Sequence, residues 1–142
     1  MRSATWVRIA AGLTLFQALG HTFGAVLAPS HGFGEDTLRA AMRGYHITAM
    51  GMERSYWELY HGSLWSITAV LVMSAGIMWS LAPIVSATPS TAKPVLLWLA
   101  LGYVSATVIA GLYFVTAPIV VAALITFCLV MSFLRAGAPS AS

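Results

Sequence analysis

The chain has 142 residues, of which 59% are hydrophobic and only 8% charged, and its mean hydropathy is +0.85. A soluble domain of this length carries about 25% charged residues, so water cannot be the solvent for most of this surface and lipid takes its place. The net charge of +3 rests on seven scattered basic residues, too few for a groove that tracks phosphates, which excludes a nucleic-acid partner.

Four apolar runs follow in chain order. The first covers about residues 4–28 and ends at Pro29. Arg2 and Arg8 before a stretch that closes on Ala-Val-Leu-Ala give it some likeness to a secretory leader. Pro29 just after the would-be cut, with Gln17 and His21 inside the run, favours a retained helix instead. The later runs cover about residues 62–82, 95–114 and 117–135. A hydrocarbon core of roughly 30 Å needs about 20 helical residues, which each run supplies or nearly supplies. The expectation is all-α: a four-helix transmembrane bundle in a single integral membrane domain over residues 1–142.

The connections set its topology. Residues 29–61 form a long connection, residues 86–94 a polar proline-bearing loop, and Val115 to Pro118 a short link that makes the last two helices an antiparallel hairpin. The tail over residues 136–142 is small and polar and reads as disordered. Arg2, Arg8, Lys93 and Arg135 fall on one side, whereas the long connection holds Arg39, Arg43 and Arg54 with all four acids: Glu35, Asp36, Glu53 and Glu58. The sparser basic residues of that connection place it outside, with both termini cytoplasmic in a cell inner membrane. Cys128 has no partner cysteine and reads as a small packing residue.

The long connection itself reads as helical. Residues 35–50 open with acids suited to a helix N-terminus, and Leu38, Met42, Tyr45 and Met50 recur at helical spacing. An amphipathic cap helix is expected there, with Gly51 as its breaker. From Met52 nothing interrupts a helix until Pro83, about 31 residues or about 46 Å, so the second membrane helix is long and projects past the outer interface. Tyr56, Trp57, Tyr60 and Trp65 then lie at interface depth, where an aromatic belt accounts for them.

A belt does not account for the polar residues among them. Arg54, Glu58 and His61 are spaced i, i+4, i+7 on one helical face that Trp65 and Thr68 continue, and Arg54 is placed to pair with Glu58. In the first run Thr14, Gln17 and His21 make a second polar stripe, beside Gly20 and Gly24 at small-xxx-small spacing for close helix contact. Intramembrane polar groups face a bundle interior, so the two stripes are expected to face one another. Gln17, His21, Arg54, Trp57, Glu58, His61 and Trp65 are therefore the candidate ligand-binding residues, and Glu58 and His61 the catalytic candidates.

Several chemistries suit these residue types. A structural charged network is the plainest. Proton transfer by Glu58 and His61 on a lipid or quinone is another. Glu58-x-x-His61 also matches a helical metal-ligand pair, so a mononuclear site from His21, Glu58, His61 and His46 is open, as is a haem between His21 and His61. A di-iron centre is excluded because the chain has only four acids. No ring of acids or glycine-rich filter marks a channel. Composition and spacing name no cofactor.

The segment Arg54-Ser55-Tyr56-Trp57-Glu58-Leu59-Tyr60-His61-Gly62 resembles the recognisable stretch of an uncharacterised bacterial family of small four-helix membrane proteins. That pattern runs Arg-Ser-Tyr-Trp, an acid, an aromatic, Tyr, a variable position and Gly. Leu59 departs from it, and His61 occupies the variable position. His31 and Ala41-Met42 match further elements upstream. The resemblance implies the four-helix fold but no activity, and it weakens the metal and haem readings that need His61. A looser likeness to DoxX-like proteins and membrane sterol isomerases rests on helix number and a polar outer cluster alone.

The expected function is a non-catalytic accessory or apolar-ligand-binding bundle. The alternative is a membrane enzyme or carrier acting on a lipid or quinone at the outer-leaflet end of helices one and two. Expected partners are membrane lipids and an apolar small molecule, with a homo-oligomer or a larger membrane complex also open.

Overall fold

The computed structural model describes residues 3–136; Arg2 and residues 137–142 of the expected tail lie outside the described residues. Five helices appear in chain order: α1 (Ser3–His21), α2 (Phe33–Gly44), α3 (Tyr56–Ala87), α4 (Pro89–Tyr113) and α5 (Thr116–Arg135). A π-helical turn over Thr22–Val26 continues α1, and a hairpin of β1 (His46–Ala49) and β2 (Met52–Ser55) precedes α3. The chain forms two compact units, one of residues 1–17 with 71–142 and the other of residues 18–70.

In the first unit, segments of α1 and α3 share a core with α4 and α5. Val7, Met78, Val85, Leu96, Ile125 and Leu129 are fully buried there. Alanines at 10, 82, 92 and 122 are buried beside them, and such small side chains let helices approach closely in the absence of a water-driven collapse. Polar contacts knit the same helices. Tyr103 OH donates to Thr14 Oγ1 at 3.1 Å, and Thr14 in turn donates to Met78 Sδ at 3.9 Å. Ser3 and Ser132 exchange hydroxyl and carbonyl bonds at 2.8–3.1 Å, and the hydroxyls of Thr107 and Thr126 meet at 3.1 Å. Cys128 packs into this core, as expected.

Outward-facing positions are as apolar as the core. Val72, Trp79, Trp98, Leu112 and Leu134 are all exposed. In water such a surface would be an aggregation site; against hydrocarbon it is the stable one. Four segments, Ser3–Val26, Tyr56–Ala87, Pro89–Tyr113 and Thr116–Arg135, are long and apolar enough to cross a bilayer. This is a membrane protein of all-α class with four transmembrane helices.

The structure corrects several boundaries. α4 begins at Pro89, so the expected loop over residues 86–94 is helical apart from Thr88. Proline at a helix start has no N–H to forfeit, which is why Pro89 opens α4 rather than blocking it. Pro83 lies inside α3 instead of ending it, and Ala87 is the last residue. Ala136, expected to open a disordered tail, is buried and caps α5 through its N–H on the Ser132 carbonyl at 2.9 Å.

The largest correction is in the second unit. The expected helix over residues 35–50 stops at Gly44, and the next residues pair as a hairpin in register His46 with Ser55 through Ala49 with Met52. Met50 and Gly51 make the two-residue turn with φ of 53° and 78°. Positive φ at both central positions matches the right-handed twist of the strands. Helical spacing of apolar residues misled here because Ile47 and Thr48 are equally at home in strands. α3 then starts at Tyr56, four residues later than expected.

The Tyr103–Thr14 contact yields a measurable coupling. A double-mutant cycle of Tyr103→Phe and Thr14→Val, followed by unfolding in detergent, is expected to return about 0.5–1 kcal/mol. Strict additivity of the two losses would show that the hydroxyls contribute independently.

Candidate functional site

The second unit holds a charged cluster that borders a cleft. It is assembled from three local features. The first is the π-helical turn, closed by the Leu27 N–H on the Thr22 carbonyl at 2.8 Å. Single π turns are rare and occur often at functional sites, because the wider ring displaces the backbone and opens space beside it. Gly24, Ala25 and Val26 of that turn line a cleft of about 380 Å³.

The second feature is α2, whose Glu35, Leu38, Arg39 and Met42 face the cleft. Glu35 and Arg39 are one turn apart, and Arg39 Nε donates to Glu35 Oε1 at 2.9 Å. Another Arg39 nitrogen donates to the same oxygen and to the Ala28 carbonyl, at 3.3 Å for the carbonyl. Glu35 Oε2 accepts the backbone N–H of His31 at 2.8 Å and meets its Nδ1 at 2.9 Å. Those donors, the backbone N–H foremost, hold the Glu35 carboxyl down to a pKa of about 2.

The third feature is the start of α3. Glu58 Oε2 accepts the backbone N–H of Ser55 at 2.7 Å and its hydroxyl at 3.1 Å, while the Glu58 N–H donates to Ser55 Oγ at 3.2 Å. This reciprocal pair is a capping box on the first turn, and Ser55 is buried in it. It aims the next residues of α3 at α2. The guanidinium groups of Arg39 and Arg43 lie over the Trp57 ring at 5.5 and 5.0 Å from its centroid. His61 stacks on Trp57 at 5.3 Å with rings 20° apart, and Trp65 meets His61 edge-on at 6.4 Å. Trp57 and Tyr60 complete the cleft wall.

The expected site residues separate under this geometry. Arg54, Glu58 and His61 do not share a helical face, because Arg54 is on β2. Nor do Arg54 and Glu58 pair through their side chains: Arg54 is exposed and donates to the Glu53 carbonyl at 3.1 Å, and the Glu58 carboxylate serves the cap. His21 does face α3, but through the Leu64 carbonyl at 3.1 Å, and its neighbour Thr22 meets the Thr68 hydroxyl at 3.2 Å. The buried Nδ1 of His61 and Oε1 of Gln17 have no hydrogen-bond partner among the described residues. Gln17 and Thr14 belong to the other compact unit. A Cβ on Gly20 or Gly24 would touch nothing within 4 Å, so the expected close helix contact at this pair is not made.

Among the described residues, no three His, Cys, Asp or Glu side chains converge to hold a metal ion, so the grouping of His21, Glu58, His61 and His46 is not assembled. His46 instead lies on β1 with Nδ1 near the Gly44 carbonyl at 3.2 Å. For a haem, the His21 ring is engaged with a backbone carbonyl and the His61 ring is packed between Trp57 and Trp65. A second hollow along α3, by Gly76, Ile77, Ser80, Leu81 and Ile84, has no charged lining residue and belongs to the apolar surface of the first unit.

Sequence reasoning missed Glu35, Arg39 and Arg43 as site residues, although their i, i+4 spacing was visible. It also missed the Ser55-x-x-Glu58 capping signature. Comparisons with known protein families, with curated proteins and with solved structures return no match.

The capping role of Glu58 separates cleanly from a catalytic one. Ser55→Ala or Glu58→Ala is expected to fray residues 56–60, at about 1 kcal/mol, read as faster amide exchange there. Glu58→Gln keeps an acceptor oxygen and should leave that exchange nearly unchanged.

Proposed function

We propose that this membrane protein is a non-catalytic holder of an amphipathic, lipid-sized molecule, seated in the cleft beside the π-helical turn. The observation that carries the reading is the division of the cleft lining. Gly24, Ala25, Val26, Leu38 and Met42 offer an apolar wall, and Glu35, Arg39 and His31 gather at a polar edge. Ligand sites have this composition: mainly apolar surface with a few polar groups that fix orientation.

Two facts favour holding over chemistry. Glu58 is engaged in the helix cap through both its carboxylate and its N–H. Glu35, the carboxylate at the cleft, is held at a pKa of about 2 and is a weak base at neutral pH. The alternative, an enzyme or carrier for a lipid or quinone, would lean on His61, whose ring is packed between two indoles. We place the protein in a bacterial inner membrane with both termini cytoplasmic, on the distribution of Arg2, Arg8, Lys93 and Arg135 against Arg39, Arg43 and Arg54.

Gly24 supplies the test. A Cβ added there meets nothing within 4 Å, so Gly24→Leu adds bulk at the cleft lining without a backbone clash. Native mass spectrometry from mild detergent is expected to show a retained lipid-sized mass on the native chain and its loss from Gly24→Leu at equal thermal stability. No retained mass on the native chain, or equal retention by the variant, would remove the reading.

A further inference from the structure

The polar edge of the cleft constrains what kind of head group fits it. Both Glu35 oxygens are occupied, Oε1 by two nitrogens of Arg39 and Oε2 by the N–H and ring of His31. The Ala28 carbonyl nearby is taken by Arg39 as well. The carboxylate at this edge therefore has its strong donors already in place. The guanidinium groups have capacity left. Arg39 uses Nε and one terminal nitrogen, which leaves the other terminal nitrogen for a ligand. Arg43 lies over Trp57, a cleft-lining ring, and forms no ion pair among the described residues.

Charge points the same way. Of the two arginines over Trp57, Arg39 is paired with Glu35 and Arg43 with no acid among the described residues. A hydroxyl head group finds both Glu35 oxygens already occupied. An oxyanion finds the Arg39 guanidinium in the cleft lining and that of Arg43 beside it on the Trp57 ring, the side chain best shaped to bind carboxylate or phosphate oxygens in a fork. The volume of about 380 Å³ lies at the small end of ligand pockets, enough for a head group and the first part of one hydrocarbon chain.

We propose that the cleft takes an anionic amphiphile, its oxyanion on Arg39 and Arg43 and its hydrocarbon against Gly24, Ala25, Leu38 and Met42. This rests on the reading of the cleft as a lipid seat and names the head group that seat selects. Glu35 acts as a positioning residue: its bonds to Arg39 and His31 fix the guanidinium that meets the ligand. Trp57 does the same for Arg43.

The probes are phosphatidylglycerol, palmitate and diacylglycerol, offered in equal amounts to the purified full chain and read by native mass spectrometry. An anionic probe is expected to exceed diacylglycerol by about tenfold, the value of one charge-assisted hydrogen bond. Phosphatidylglycerol above palmitate assigns a phospholipid phosphate; palmitate above phosphatidylglycerol assigns a free carboxylate; either supports the proposal. Arg43→Gln is expected to bring the preference close to parity, and Arg43→Lys to keep most of it. As a measure independent of any variant, raising salt from about 0.1 M to about 1 M shortens the screening length from about 10 Å to about 3 Å and should lower the preference. Diacylglycerol bound as well as either anion, or a preference untouched by both Arg43→Gln and salt, overturns the proposal. In that event a bound lipid still lost in Gly24→Leu leaves the lipid seat standing, whereas no bound lipid at all removes both.

Discussion

Trp57 carries the guanidinium groups of both Arg39 and Arg43, and the second unit is organised around that contact. α2 has 12 residues, none of them buried, and no side-chain cap at its N-terminus. A helix of that length is marginal in water on its own. Its own i, i+4 link from Glu35 to Arg39 adds only a few tenths of a kcal/mol. Cation–π contacts of about 0.5–1 kcal/mol when exposed, and about 2 when shielded, are the larger effect, and Trp57 receives two of them on a half-buried ring. Without the indole, α2 would keep only the bonds of Arg39 to Ala28 and of Glu35 to His31, and the cleft would lose a wall.

The acids show how few polar groups a chain of this composition has to deploy. Of four, Glu35 fixes Arg39 and His31, and Glu58 fixes the start of α3. Glu58 was the catalytic candidate in the sequence, and both are engaged in local structure. The capping box sets the direction in which α3 leaves the hairpin, and so the place of Trp57 in its first turn. A binding role is consistent with this use of charge: the carboxylates orient, the arginines remain available, and the apolar wall comes from residues with no chemistry of their own.

Architecture was legible in the sequence because it depends on hydrophobic length. The span at residues 117–135 was placed to within a residue of α5, since nothing but lipid determines where so apolar a run ends. Prolines were read too strictly, at Pro83 and in the run to Pro94, because their effect depends on the position each takes within a helix. The hairpin was illegible for a different reason. Met50 occupies a turn position that favours Asn or Gly, so the commonest hairpin signal was missing. Once β1 and β2 replaced a helix, the shared face of Arg54, Glu58 and His61 vanished with it. Arg39 and Arg43 were visible as a basic pair. That they meet Trp57 is a tertiary fact, and local spacing does not encode it.

Amide hydrogen exchange over residues 33–44 in Trp57→Leu, set against the native chain in the same detergent, addresses the organising contact most directly. Leucine keeps apolar bulk at the position and removes the ring that the two guanidinium groups rest on. Exchange across α2 should accelerate severalfold, while α4 and α5 keep native protection. Native-like protection of α2 in that variant would contradict the role given to the indole.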